Sequence, residues 1–249
     1  MSGSIVIVGL GPGSIEWLAP AAKKALEEAD LIVGYHSYLK QISNLCPDTP
    51  RFGSGMRQEI SRAKEALRQA NDGRKVAIVS GGDAGIYGMA GLVIELAGEK
   101  NSIPITILPG ISALNAAAAL LGAPLMADFA TVSLSNYLVP METILKRIKF
   151  AMEADLVLCL YNPKGMKRTA PFEKVSALLM DKLGPDRLIG LVSNAYRDDQ
   201  EIRIIQVKDL SQAPVDMNSI LIVGNSQTKM IGGKLVTPRG YKFTEEFIQ

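Results

Sequence analysis

The chain has 249 residues, enough for one large domain or two small ones. Apolar residues make up 47% of it, so a sizeable core is available and disorder is not expected. A net charge of +2 argues against a nucleic-acid protein with a broad basic face, and two distant cysteines without CxxC or Cys/His spacing leave no ligand set for zinc or an iron–sulfur cluster.

Taken in order, Ser4 to Leu10 is an apolar run that reads as a buried parallel strand. It enters the glycine-rich turn GLGPGS at 9–14, and helical spacing follows over roughly Ile15 to Ala29. Leu31-Ile32-Val33 reads as a second short strand. Gly9, Gly11 and Ser14 nearly match a dinucleotide fingerprint. Pro12, however, removes a backbone donor where a pyrophosphate would need one, and Gly34-Tyr35 brings no acidic residue for a ribose. A nicotinamide-dependent oxidoreductase is therefore disfavoured.

His36, the only histidine, lies in GYHSY beyond that strand and reads as a solvent-facing loop residue, with a titrating role at a site mouth as the alternative. RFGSGMR at 51–57 is glycine-rich and basic. Glu59 to Asn71 has helical spacing, with Arg62, Lys64, Glu65 and Arg68 assigned to a solvated face.

Val76 to Val79 is a strand that runs into SGGDAGIYGMAG at 80–91, followed by the helical pattern Leu92 to Leu96. Five glycines in eleven positions, Gly81, Gly82, Gly85, Gly88 and Gly91, exceed what one turn requires. Asp83 stands where a helix would begin, so an N-cap and a ligand contact compete for it. Ile105 to Leu108 is a fourth strand, and PGISALNAAAALLG at 109–122 is a loop and an alanine-rich helix. Ser112 there is a cap, a ligand contact, or both.

Gly122-Ala123-Pro124 is the candidate linker, giving domains of 1–122 and 123–249. Strands are expected at Thr131–Ser135, Leu156–Tyr161, Leu188–Val192, Glu201–Val207 and Ser219–Val223, with helices at Met141–Ala154 and Phe172–Leu183. The expected fold class is α/β: two α/β domains with a cleft between them, the first sheet mainly parallel and the second mixed. The polar turns at 9–14, 80–88, 109–113, 161–165 and 193–198 all follow strands, which would gather them at the carboxyl edges of the sheets. Cys159, within LVLCLY, reads as a buried thiol. No run approaches the ~18 apolar residues of a membrane span, and the N-terminus lacks a signal-peptide layout, so a soluble cytoplasmic protein is expected.

Four motifs, GLGPGS at 9–14, GGDAGIYG at 81–88, PGISAL at 109–114 and LYNP at 160–163, resemble the tetrapyrrole methylase family in order and over nearly the whole length. GYHSY at 34–38, SGMRQEI at 54–60, LYNPKG at 160–165, SNAYR at 193–197, IVGNSQT at 222–228 and TPRGY at 237–241 resemble the branch of the family that acts on precorrin-3B at C17. The resemblance implies a two-domain protein, usually a homodimer, that methylates C17 of precorrin-3B or cobalt-precorrin-3B with ring contraction, on the route to cobalamin. It implies S-adenosylmethionine as methyl donor and S-adenosylhomocysteine as product; the expectation of no metal, nucleic acid or membrane rests on the cysteine spacing, net charge and apolar runs above. Cofactor contacts carried over by the resemblance are Pro12, Gly82, Asp83, Ile86, Tyr87, Ser112, Ala113, Tyr161, Asn162 and Ala195. His36 and Asn136 depart from the family's usual basic and acidic residues.

Methyl transfer from a sulfonium needs alignment more than a nucleophile, which fits loops rich in backbone groups. Ring contraction needs protons moved; Tyr87, Tyr161, Tyr196, Asp83 and His36 are candidates, and no catalytic residue is singled out. Arg57, Arg168 and Arg197, in or beside the expected cleft loops, are, with His36, the candidate grips for the substrate's carboxylates, and Lys40 and Lys164 lie near. Two readings compete: a methylase of the same superfamily acting on another tetrapyrrole, a protein or RNA, and a non-catalytic module that binds a tetrapyrrole or nucleotide.

Overall fold

The computed structural model describes residues 3–165 and 167–242, and the chain divides at Ala113/Leu114 into two compact units. In the first unit the elements run β1 (Ser4–Gly9), α1 (Pro20–Glu27), β2 (Leu31–Tyr35), α2 (His36–Gln41), β3 (Arg51–Ser54), α3 (Glu59–Asn71), β4 (Lys75–Ser80), α4 (Ala90–Ala97) and β5 (Ile105–Leu108). The five strands form one sheet in the order β3-β2-β4-β1-β5, every neighbouring pair parallel.

Alternation along the strands sets the layers. Ile5 and Ile7 of β1, Leu31 and Val33 of β2, and Val76 and Ile78 of β4 face α3 and α4. Val8, Ile32, Ala77 and Val79 face the opposite layer, where Ala22 and Leu26 of α1 and Leu39 of α2 pack. This is the pattern expected of strands buried on both sides. Each fully buried isoleucine, such as Ile7 or Ile78, contributes about 1.5–3 kcal/mol through area removed from water. The chain leaves β1 towards α1 and β4 towards α4, on opposite faces, although the two strands are neighbours. Their carboxyl ends thus make a topological switch point.

The second unit contains most of α5 (Ala113–Leu121), then β6 (Gly122–Ala123), β7 (Phe129–Ser133), α6 (Met141–Glu153), β8 (Val157–Tyr161), α7 (Ala170–Leu183), β9 (Leu188–Ser193), β10 (Glu201–Gln206), β11 (Ser219–Val223), β12 (Lys229–Ile231) and β13 (Lys234–Val236). Its larger sheet has the order β10-β9-β11-β8-β7; only β7 and β8 are parallel. Leu158, Leu160, Ile189, Leu191 and Leu221 pack against Ile144 and Ile148 of α6 and Phe172, Val175 and Leu179 of α7. The expected fold class, a parallel sheet followed by a mixed one, is borne out.

Local differences from the sequence reading have physical causes. The helix expected from Ile15 to Ala29 begins at Pro20, whose fixed φ and missing N–H suit a first turn; before it lies one 3-10 turn, Ile15–Trp17, capped by Ser14. His36 opens α2 rather than lying in a loop, though it is exposed. Arg51–Ser54 is an edge strand, and Arg62 is buried, not solvated. The strand expected at Thr131–Ser135 is Phe129–Ser133. Gly122-Ala123 pairs parallel with Leu235-Val236 in a small third sheet, β12-β13-β6.

Candidate functional site

In the first unit the sheet order sorts the sequence-predicted residues into a row along the carboxyl edge. Arg57 follows β3, His36 follows β2, Gly82 to Tyr87 follow β4, Pro12 follows β1, and Ser112 follows β5. At the switch point the backbones of three loops close on one another. Gly11 N–H donates to Gly82 O at 3.0 Å and Gly82 N–H to Gly11 O at 2.8 Å. A Cβ on Gly9 would stand 2.6 Å from Gly110 N and 2.8 Å from Gly82 O, so only glycine permits this approach.

Asp83 is neither an α-helix N-cap nor an isolated surface acid. Its Oδ1 accepts from Gly85 N–H at 2.8 Å and Ile86 N–H at 3.0 Å, and its Oδ2 from Gly110 N–H at 3.0 Å. The next α-helix begins only at Ala90. The carboxylate therefore shapes its own loop and ties it to the loop after β5. Ser80 Oγ, beneath, accepts from Met89 N–H at 3.1 Å. Ile86 and Tyr87 point outward, 40% and 52% exposed, while Ser112 is buried.

The short α2 roofs the other end of the row. A Cβ on Gly53 would meet His36 Nδ1 at 2.6 Å, and one on Gly81 would meet the Tyr38 ring at 2.6 Å. The imidazole thus rests on β3 and the phenol on the start of the loop after β4. Tyr38, which sequence reasoning passed over, also stacks edge-on against Tyr35 with centroids 5.5 Å apart.

In the second unit, Tyr161 ends β8, Asn162 follows it and Ala195 follows β9. Tyr161 Oη accepts from Leu114 N–H at 3.0 Å. Asn162 Nδ2 donates to Ser133 Oγ at 3.0 Å. Arg168, a candidate carboxylate grip by sequence, spends its guanidinium on the carbonyls of Leu134 and Asn162, each at 2.7 Å, and its burial lowers its pKa. It is a loop tie. Behind Asn194-Ala195-Tyr196, the buried hydroxyls of Ser193 and Ser219 lie 2.7 Å apart, and Ser219 donates to Asp216 at 2.7 Å. Nothing in the spacing of these two serines signals their pairing, which arises from strand register alone.

Left-handed backbone marks the same loops. Arg57, Tyr87, Asn162, Asn194 and Tyr196 all have φ between 49° and 65°. Such conformations are uncommon for residues with a side chain and gather at ligand-binding turns.

A glycine-lined switch point in a parallel α/β sheet, followed by a mixed α/β unit with its own polar strand-end turns, defines a ligand-binding protein of the doubly wound class. The chain belongs to the tetrapyrrole (corrin/porphyrin) methylases, whose family model matches residues 4–211. It is 42% identical over 247 residues to the cobalt-factor III methyltransferase of Priestia megaterium, which covers 97% of this chain and 46% of that protein. It is 43% identical over 245 residues to a probable cobalt-factor III C(17)-methyltransferase of Methanocaldococcus jannaschii, covering 95% of this chain and 97% of that one. The chain thus spans about half the length of the first relative and almost all of the second. Among solved structures, that of the methyltransferase CobJ superposes with a TM-score of 0.89 at 35% identity, over 95% of this chain and 100% of that one. The family resemblance read from the four motifs is borne out.

The switch-point loops fit a sulfonium nucleoside. Residues 9–14, 80–89 and 109–112 carry one charged side chain, Asp83, so no cation opposes a positive sulfur. Exposed Ile86, Tyr87 and Ile111 offer apolar surface for a base beside backbone polar groups.

Proposed function

We propose that this chain is an S-adenosylmethionine-dependent C-methyltransferase that methylates C17 of a precorrin-3B-type macrocycle, with ring contraction, in cobalamin biosynthesis. The observation that carries this reading is the row at the first carboxyl edge. Its glycine end, where Asp83 is the one charged side chain of the three loops, suits the methyl donor, and its other end, with His36 and Arg57, suits a ring bearing carboxylate arms. β3 and β4 are two strand spacings apart, roughly 10 Å, a span matched to a macrocycle rather than to a small acid. The names of the Priestia and Methanocaldococcus relatives favour the cobalt-bearing substrate.

The donor supplies an activated methyl group whose C–S bond breaks as the new C–C bond forms, the electron pair staying on sulfur. The protein's own task is alignment and exclusion of water. Pro12, Gly82, Asp83, Ile86, Tyr87, Ser112 and Ala113, with Tyr161, Asn162 and Ala195, are the proposed cofactor contacts. Asp83 acts through the backbone it holds, and Arg57, Arg197 and His36 take the carboxylates. The protein is proposed to work as a cytoplasmic homodimer of two domains.

Incubating the protein with S-adenosylmethionine and either precorrin-3B or its cobalt complex tests the reading. The expected result is one added methyl by mass and a contracted-ring spectrum on the cobalt substrate. S-adenosylhomocysteine binding without methyl gain on either ring would overturn the substrate; absence of binding would overturn the methyltransferase itself. Arg57→Glu and Arg197→Glu should each raise KM for the ring while leaving S-adenosylhomocysteine affinity unchanged.

A further inference from the structure

The turn that presents Arg57 is built on a buried charge. Arg62, in the first turns of α3, is 5% exposed. Its Nη1 donates to Ser54 Oγ at 2.9 Å and to Gly55 O at 2.8 Å, and its Nη2 donates to Glu59 Oε1 at 3.1 Å. The same Glu59 oxygen accepts from Arg57 N–H at 3.2 Å, and Gln58 Oε1 accepts from Gly55 N–H at 2.8 Å. Every residue from Ser54 to Glu59 except Met56 is thus held by a bond to or within this cluster. The tip it leaves outward is Met56, 66% exposed, beside Arg57, whose φ of 65° is left-handed.

Burying a guanidinium is costly unless its donors are satisfied, and a helix packed on a sheet gains more from an apolar residue there. Ala66 and Ala70, four and eight residues further along the same stripe of α3, are such residues. The planar fork reaches three acceptors that a point-charged ammonium could not hold together.

We infer that Arg62, with Glu59, is a positioning residue for substrate recognition: it fixes the turn 54–59 so that Arg57 meets a carboxylate arm of the macrocycle in one rigid geometry. This rests on the proposed role of Arg57. Rigidity fixed before binding reduces the ordering cost of association.

The test compares Arg57→Gln, Arg62→Met, Arg62→Lys and the double variant Arg57→Gln/Arg62→Met in the full chain. Each single variant should raise KM for cobalt-precorrin-3B about tenfold with kcat changed less than about twofold, and S-adenosylhomocysteine affinity should hold. The double variant should be no worse than Arg57→Gln, because both act through one contact. With the substrate's carboxylates methyl-esterified, all four should match the parent. Hydrogen exchange at the amides of residues 55–57 should accelerate in Arg62→Met while β1 and β4 stay protected. Arg62→Lys, which keeps the charge, carries the same comparison if Arg62→Met does not fold. Multiplying KM effects in the double variant, or a fall in kcat at unchanged KM, would overturn the inference. If the parent methylates no tetrapyrrole, the role of Arg57 falls with the proposed function. The exchange measurement then judges the clamp alone, and unchanged exchange at 55–57 refutes it.

Discussion

Asp83 accepts from Gly110 N–H at 3.0 Å across the end of a strand that lies between them, since β4 and β5 are not neighbours but flank β1. One carboxylate therefore joins the two loops on either side of the loop that holds Pro12. Asp83→Asn keeps the shape and loses this role: the amide brings one acceptor oxygen, and its NH2 would face a backbone donor. The expected cost is about 1–3 kcal/mol of stability, with a parallel loss of S-adenosylhomocysteine affinity. Calorimetry and thermal denaturation of the variant check it, and an unchanged affinity would show that the loop holds its shape without the bridge.

Two glycines should answer alanine in opposite ways. Gly9→Ala places a methyl 2.6 Å from Gly110 N and 2.8 Å from Gly82 O, and both neighbours are backbone, with no rotamer to yield. It should destabilise by about 1–3 kcal/mol or more and abolish cofactor binding. Gly91, on the exposed side of α4, has nothing within 4 Å of the added carbon. Gly91→Ala should stabilise by about 0.5–1 kcal/mol through reduced freedom of the unfolded chain. Denaturant midpoints of the two variants against the parent decide both.

The sheet scaffold is legible in the sequence because its strands are apolar runs and its turns are dense in glycine. Val76 to Val79 and Ile5 to Val8 have no other reading, and the loops that follow them converge because parallel strands put their ends together. What resists reading is decided by partners far along the chain. RFGS at 51–54 has no apolar alternation, and it becomes a strand because β2 offers it an edge. Arg62 sits four residues before Ala66 on the buried stripe, a spacing that is visible, yet its charge points to solvent until Ser54 and Gly55 are seen to supply acceptors. Asp83 looks like a cap because carboxylates commonly cap helices. Two of its partners, Gly85 and Ile86, are local, but the third, Gly110, lies 27 residues away. Strand β6 is two residues long, below any pattern, and exists only through β13.

Tyr161 links the end of β8 to the start of α5 through its hydroxyl, which takes the Leu114 N–H at 3.0 Å. Tyr161→Phe strips that acceptor from the amide of a buried residue and should cost about 1–3 kcal/mol. Cofactor affinity should fall with it, because Tyr161 is a proposed contact. A drop in turnover of about a hundredfold or more at full stability and affinity would instead mark the hydroxyl as a proton carrier in ring contraction.

Alkaline pH should expose the burial of Cys159. The thiol lies within β8, and desolvation pushes its pKa from 9.0 up to about 12. Burial raises that of Cys46 too. Below pH 9 the thiol is protonated in both the folded and unfolded chain, so pH has no leverage through it. Between 9 and 12 the unfolded chain gives up its proton while the folded one keeps it, so stability falls as pH rises. Cys159→Ala should flatten that decline in denaturant titrations run from pH 8.5 to 10.5, at the cost of a smaller core side chain. Because the thiolate is the reactive form, neither of the two cysteines should react with a disulfide reagent at pH 8 in the native protein, and both should react once it is unfolded. Fast native labelling of Cys159 would mean that β8 opens, and the packing described for the second unit would have to be revised.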